Sequence, residues 1–378
     1  MLEQPLPLQR IGKTFLLPES GFQDVVETEK SPSFFQELGE IRLKPARFCS
    51  RNIHFKSRNT RKDLRRSDPS AEQIHTALRQ KRFQNSPRRW AFPKCHPRRV
   101  QEGLHELDIT KKDDVERVIT EFRPDFVIHA AAQRFPDKVD SDPDAARRLN
   151  VDATGYVVDA AAKVGAPVLY ISTDYVFDGK GETAYTVHDK PNPINLYGQT
   201  KLEGEVVTLK CPENSVLRIP VLYGPVLDLK ESAVTCLLQP LLMTTKVAYV
   251  SHLERRCPSH VDDVALVCLQ LANARKDKTV SGIFQWCGEE KMTKYQMVLK
   301  MAEVFSIPHS HVKPEMKLGA SATRPLDPQL DCSRLKQLGF GQHTPFAKGI
   351  YDVLCSWVSL NIHVVPDIRP YTVPTNKP

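Results

Sequence analysis

Nine cysteines among 378 residues form no C-x-x-C pair. An odd number at scattered spacings predicts neither a disulfide framework nor a zinc knuckle, and it points to a reducing compartment. No apolar run approaches the roughly 18 residues of a membrane helix. The opening MLEQPLPLQR also lacks a basic stretch followed by an apolar core, so a secretory leader is not expected. The expectation is a soluble, cytoplasmic protein with no membrane partner. Acidic residues are scarce in one place only, between 41 and 100, where basic residues outnumber them several-fold in runs such as Arg58-Asn-Thr-Arg-Lys-Asp-Leu-Arg-Arg66. The formal net charge of +8 comes from that stretch, and the remainder is mildly acidic. The stretch has poor apolar periodicity, no recurring aromatic spacing and no zinc ligands. A solvated basic segment is therefore favoured over a nucleic-acid-binding arm.

From Val100 onward apolar runs alternate with amphipathic segments, the pattern of a parallel sheet covered on both faces. Strands are expected at 125–131, 167–172 and 215–219, and helices at 112–121, 142–164 and 196–209. Phe126-Val-Ile-His-Ala-Ala-Ala132 ends in small residues, which let a ligand approach the carboxyl edge of such a sheet, where open α/β folds bind ligands. A chain of this length can bury a sizeable core.

The chemistry-bearing pattern is Tyr197-Gly-Gln-Thr-Lys201, which sets a phenol and an ammonium on one helical face. Upstream, Tyr170-Ile-Ser-Thr-Asp-Tyr-Val-Phe-Asp-Gly179 is a strand that stops at a hydroxyl and an acid before a turn. Reduction of a carbonyl needs a proton donor beside the hydride donor, and a phenol with a pKa of about 10 exchanges its proton poorly near neutrality unless a cation lowers it. Lys201 would be that cation and would also hold a cofactor ribose, and Thr173 would orient the carbonyl. Each residue alone has an ordinary structural explanation; the pattern lies in their combination. His260, in Pro258-Ser-His-Val-Asp-Asp263, has no second histidine one turn on, so no metal site is expected there.

These motifs, with Pro193-Ile-Asn-Leu-Tyr-Gly-Gln-Thr-Lys-Leu-Glu-Gly-Glu205 in full, resemble the extended short-chain dehydrogenase/reductase family, in its dTDP-4-dehydrorhamnose reductase branch. The resemblance implies a Rossmann-like doubly wound parallel sheet with a smaller C-terminal lobe. Within the branch, Leu217-Arg-Ile-Pro-Val-Leu-Tyr-Gly224, Glu231-Ser-Ala-Val-Thr235, Lys291-Met-Thr-Lys-Tyr-Gln-Met297 and Leu330-Asp-Cys-Ser-Arg-Leu335 are similar to the regulatory β subunits of methionine adenosyltransferase, the S-adenosylmethionine synthase. That implies a non-catalytic regulatory subunit partnered by the catalytic subunit. It also implies NADP as ligand. Arg98 and Arg99 would meet the ribose 2′-phosphate and Asp108 and Ile109 the adenine. Ala131 and Leu222 would line the site, and Tyr197 and Lys201 would hold the nicotinamide ribose. The alternative is an active NADPH-dependent reductase of a 4-keto nucleotide sugar, with Thr173, Tyr197 and Lys201 catalytic.

Three departures temper the carry-over. A strand followed by T-G-x-x-G-x-x-G should open such a fold and bring backbone N–H groups to the diphosphate. Here Gly12, Gly21 and Gly39 are the only glycines before Gly103, and none has that spacing. The first strand-helix unit is replaced, which argues against NADP and should bare the edge of the neighbouring strand. In the reductases a Thr-Ser-Trp lines the sugar site, where this chain has Ile219-Pro220-Val221. The C-terminus departs as well. The expected organisation is an atypical basic segment at 1–97, a reductase-type domain at 98–350 and a divergent Pro-rich tail at 351–378.

Overall fold

The computed structural model describes residues 9–11, 14–17, 104–105, 107–274, 280–317 and 323–361. All of them belong to one compact unit, which spans 1–42 and 101–378. Arg98, Arg99 and most of the basic segment lie outside the described residues.

Seven strands form the main sheet, in the order Gly282–Gln285, Ser215–Ile219, Val168–Thr173, Phe126–His129, Thr14–Leu17, Gln9–Ile11, Leu104–His105. The first four are mutually parallel, as their unbroken β-branched and apolar runs predict. Phe126–His129, Val168–Thr173 and Ser215–Ile219 are buried at every position. Their side chains divide between two cores. Val127 and Val168 pack with Val115, Ile119, Val157 and Ala161 of the helices Lys112–Phe122 and Ala153–Lys163. Phe126, Ile128, Leu169, Ile171 and Leu217 face the other way, onto Val264, Val267 and Leu271 of the helix Val261–Asn273. Alternation along each strand thus buries both faces of the sheet, the doubly wound arrangement.

The expected bare edge does not occur. Thr14–Leu17 pairs antiparallel with Phe126–His129, from Thr14 opposite His129 to Leu17 opposite Phe126. Gln9–Ile11 pairs antiparallel with Thr14–Leu17 and parallel with Leu104–His105. A hairpin from the N-terminus therefore takes the place of the missing first unit and pairs the edge that its loss would have exposed.

A smaller C-terminal lobe has its own core around Leu238, Leu241, Val298, Met301 and Phe305. Its helix Lys294–Phe305 starts at a capping box in which Thr293 and Gln296 satisfy each other's backbone N–H groups. The last described helix, Phe346–Asn361, buries Ile350, Leu354 and Val358 in the same core, so the boundary expected at 350 falls inside a packed helix. The helix expected as one piece at 142–164 is Pro143–Arg147, a π turn at Arg148–Asp152, and Ala153–Lys163. Among the described residues no helix is long and apolar enough to cross a membrane.

Candidate functional site

The site lies at the carboxyl edge of the parallel strands, where Thr173 is paired with Ile219 in register. Val168–Thr173 ends there because the Thr173 hydroxyl accepts the Tyr175 N–H at 3.2 Å and starts a single 3-10 turn. Across from it the helix Leu196–Thr208 begins at Asn195, whose side chain accepts the Gly198 N–H at 2.8 Å. That cap sets Tyr197 in the first turn, half-buried, in a T-shaped contact with Tyr175 at 5.6 Å. The helix can approach so closely because residue 198 is glycine: a Cβ there would meet the Tyr175 carbonyl oxygen at 2.2 Å.

Lys201, one turn on, is 2% exposed. Its ammonium donates to the Ile171 carbonyl at 2.7 Å and sits 3.8 Å from the centre of the Tyr170 ring. Burial pulls its pKa down to about 7, opposed by the nearby Glu205 carboxylate. Burial likewise pushes the Tyr197 phenol above its ordinary value; the Thr173 hydroxyl opposes this and the Asp174 charge adds to it. Near neutrality the phenol is protonated, able to donate but not to act as a base.

The remaining predicted residues are spread along the same edge. Ala131 follows Phe126–His129 and is 8% exposed, Leu222 is half-buried against the same core as Ile171 and Leu217, and Ile109 is buried under the first helix. Asp108 is exposed; Thr110 donates both its hydroxyl, at 2.6 Å, and its backbone N–H, at 3.0 Å, to the Asp108 carboxylate and holds it below its usual range. Arg98 and Arg99 cannot be placed among the described residues.

Two neighbours, Asp174 and Arg256, carry no role in the sequence reading. Asp174 is 2% exposed and burial raises its pKa to about 6, with the Arg256 guanidinium acting in the opposite direction. Asp174 and Arg256 line a small cleft together with Pro220, Asp327 and Gln329. Asp174 was visible within the quoted strand-end motif; Arg256, in an Arg-Arg pair, looked like any solvated cation. Asn150 sits in the π turn and is fully buried. Its amide nitrogen donates to the Gln133 carbonyl and the Thr200 hydroxyl, and its oxygen accepts the Gln133 N–H at 2.8 Å. It ties the loop after Phe126–His129 to the Tyr197 helix, consistent with the tendency of π turns to occur at functional positions.

A strand-end hydroxyl, a protonated phenol and a buried lysine at the carboxyl edge of a doubly wound sheet define a reductase-type protein, and the RmlD substrate binding domain family matches residues 72–358. A solved dTDP-4-dehydrorhamnose reductase from Bacillus anthracis, in complex with NADP, is 25% identical and superposes with a TM-score of 0.61, covering 67% of this chain and 90% of that one. Nearer in sequence are curated proteins named methionine adenosyltransferase 2 subunit beta. That of Bos taurus is 46% identical over 277 residues, 72% of this chain and 82% of its own length. That of Danio rerio is 40% identical over 279 residues, 72% and 85% respectively. The chain belongs to the methionine adenosyltransferase 2 subunit beta family.

Proposed function

We propose that this chain is a non-catalytic regulatory subunit of methionine adenosyltransferase, which binds the catalytic subunit and modulates S-adenosylmethionine synthesis. The likeness to relatives named subunit beta over most of the folded chain carries this reading. The site chemistry supports it, because the sheet edge beside Thr173 presents Ile219 and Pro220 rather than an aromatic sugar platform.

The fit to NADP is one-sided. Tyr197 and Lys201 would hold a ribose, and Ala131 and Leu222 would flank it. The diphosphate has no matching cradle among the described residues. The strand beside Phe126–His129 runs antiparallel, so no strand-to-helix turn aims backbone N–H groups at the cleft from that position, as diphosphate binding in this fold requires. We therefore assign Thr173, Tyr197 and Lys201 to the floor of a partial pocket and route no hydride step through it.

The test is co-purification of the full chain with the purified catalytic subunit, together with rates of S-adenosylmethionine formation with and without it. A complex and altered kinetics are expected, unchanged in Tyr197→Phe; the absence of any complex would sink the reading. The meeting of Thr173, Tyr197 and the buried Lys201 at one edge of the sheet favours a second reading, an NADPH-dependent reductase. It requires loss of NADPH absorbance with a 4-keto nucleotide sugar, abolished by Tyr197→Phe.

A further inference from the structure

Three thiols separated widely in sequence converge on the wall of the cleft. Cys257, Cys287 and Cys332 are 3%, 5% and 8% exposed. Cys287 lies just beyond the strand Gly282–Gln285 and Cys332 just before the helix Ser333–Gln337. Their sulfurs are 3.6 Å apart, and the Cys287 backbone N–H donates to the Cys332 sulfur at 3.2 Å. Cys287 directs its own thiol at the Leu330 carbonyl, 3.3 Å away. All three are free thiols. Cys257 and Cys287 line the cleft that contains Asp174 and Arg256.

We propose that Cys287 and Cys332 are an oxidation site, a vicinal pair in space that a peroxide converts to a disulfide fixing the cleft wall. The two thiols have distinct roles. Contact with the Cys287 thiol and the backbone N–H that Cys287 donates hold the Cys332 pKa below the ordinary thiol value, whereas Cys287 is pushed up by its thiol neighbours and by burial. Cys332 is therefore the attacking sulfur, because the thiolate is the nucleophile. Its attack forms an S–O bond and breaks the peroxide O–O bond; the departing oxygen leaves as water and the Cys332 sulfur becomes a sulfenic acid. Cys287 then attacks that sulfur, the S–S bond forms, the S–O bond breaks and a second water leaves. In total, two thiols and one hydrogen peroxide give one disulfide and two waters, with the peroxide reduced and the sulfurs oxidised.

The bridge would span 45 residues of sequence. It would anchor the segment that contributes Asp327, Pro328, Gln329 and Leu330 to the cleft wall, so oxidation would stiffen the wall facing Asp174. Such a cross-link restricts the unfolded chain and raises the thermal midpoint.

The experiment treats the native full chain with hydrogen peroxide, blocks remaining thiols under denaturing conditions and maps linked peptides by mass spectrometry. A Cys287–Cys332 linked pair, lighter by two hydrogens and absent after reduction, is expected, with a thermal midpoint above that of the reduced protein. Cys332→Ser should abolish both changes, while Cys211→Ser should leave them intact. Because the mapping is done on the unaltered chain, a folding defect in a variant does not blur the result. Recovery of Cys287 and Cys332 as free thiols, at a dose that oxidises the more accessible Cys355, would overturn the proposal. A Cys257–Cys287 bridge in its place would do the same.

Discussion

Glu205 and Arg218 meet between the Tyr197 helix and the strand Ser215–Ile219 with each side chain 2% exposed. The guanidinium engages the carboxylate through two nitrogens, Nε at 3.0 Å and Nη2 at 2.7 Å, and the Ser172 hydroxyl donates to the same carboxylate. Glu205 lies one turn beyond Lys201 and two beyond Tyr197, so the pair clamps the face of the helix that carries the site. Removing one partner leaves a buried charge without its counterion. Arg218→Met is expected to cost about 3–5 kcal/mol, and the double variant Glu205→Leu with Arg218→Met considerably less, because no charge is then left unpaired. Urea unfolding of the three proteins measures this; a single variant losing under about 1 kcal/mol would place the pair in effective contact with solvent.

The acid response should come from two buried groups that act in opposite senses. His129 is completely buried and hydrogen-bonded to Thr154, and burial, aided by the Lys201 charge, takes its pKa from 6.5 to about 3. The unfolded chain binds that proton first, so its contribution is present above pH 6.5 and is lost as pH falls toward about 3, at up to about 1.4 kcal/mol per pH unit. Asp174 is raised from 3.8 to about 6, so its contribution is present below pH 3.8 and is lost as pH rises through about 6. Between pH 4 and 6 the two offset each other. Asp174→Asn should therefore steepen the loss of stability on acidification, and His129→Asn should flatten or reverse it. Denaturant midpoints at intervals across that range test the signs.

Lys201 adds a slope on the alkaline side. With its pKa lowered from 10.5 to about 7 by burial, the unfolded chain holds this proton and the folded chain releases it across that range. The penalty is complete below pH 7 and is relieved as pH rises toward 10.5. Lys201→Met should remove this part of the pH dependence. A variant whose stability still rises in parallel with the unaltered chain between pH 7 and 9.5 would show that Lys201 remains fully charged in the fold.

The parts of this molecule that were legible in its sequence are those specified by local pattern. The strand at 215–219 was placed residue for residue because its run is bounded by Asn214 and Pro220, and Thr173 with Tyr197 followed from two short motifs. The helix over 142–164 was read as continuous because periodicity does not register one residue of π widening around Asn150. The covering hairpin was invisible for a different reason. Gln9–Ile11 and Thr14–Leu17 are three and four residues long, and what makes them strands is pairing with Leu104–His105 and Phe126–His129 about a hundred residues away. Asp174 and Glu205 stood inside the quoted motifs, but their burial, like that of Arg256, was not legible, because charge in a sequence reads as surface and only the fold reveals that these charges are buried.

Gly204 tests how closely the Tyr197 helix approaches the sheet. A Cβ at this position would lie 2.2 Å from the Tyr170 hydroxyl and 3.0 Å from the Asn150 carbonyl oxygen. Tyr170 is itself fully buried beneath Lys201, so it has little room to retreat. Gly204→Ala should destabilise by about 1–3 kcal/mol, as overpacking of a filled core does. Tyr170→Phe in the same chain should recover part of that loss by removing the nearest atom. If the two substitutions were simply additive in a double-mutant cycle, the contact would not exist in solution.

The N-terminal hairpin carries the sharpest structural prediction. Thr14–Leu17 is flanked on both sides, by Gln9–Ile11 and by Phe126–His129, so its interior N–H groups are committed to ladders. Leu16→Pro deletes one donor and leaves its partner carbonyl unsatisfied, at about 1–3 kcal/mol. Deleting residues 1–17 goes further, because it uncovers the backbone of Phe126–His129, a strand whose Val127 and Ile128 are 0% and 1% exposed. An open central edge of that kind pairs readily with other chains. The truncated protein should elute as high-mass aggregate under conditions in which the full chain does not, and a synthetic peptide spanning residues 5–20 should reduce the aggregate by refilling the slot. A truncated chain that remains dispersed and keeps its thermal midpoint would mean that the hairpin does not occupy the first-strand position. The diphosphate side of the pocket would then have to be reconsidered, because its closure depends on that antiparallel strand.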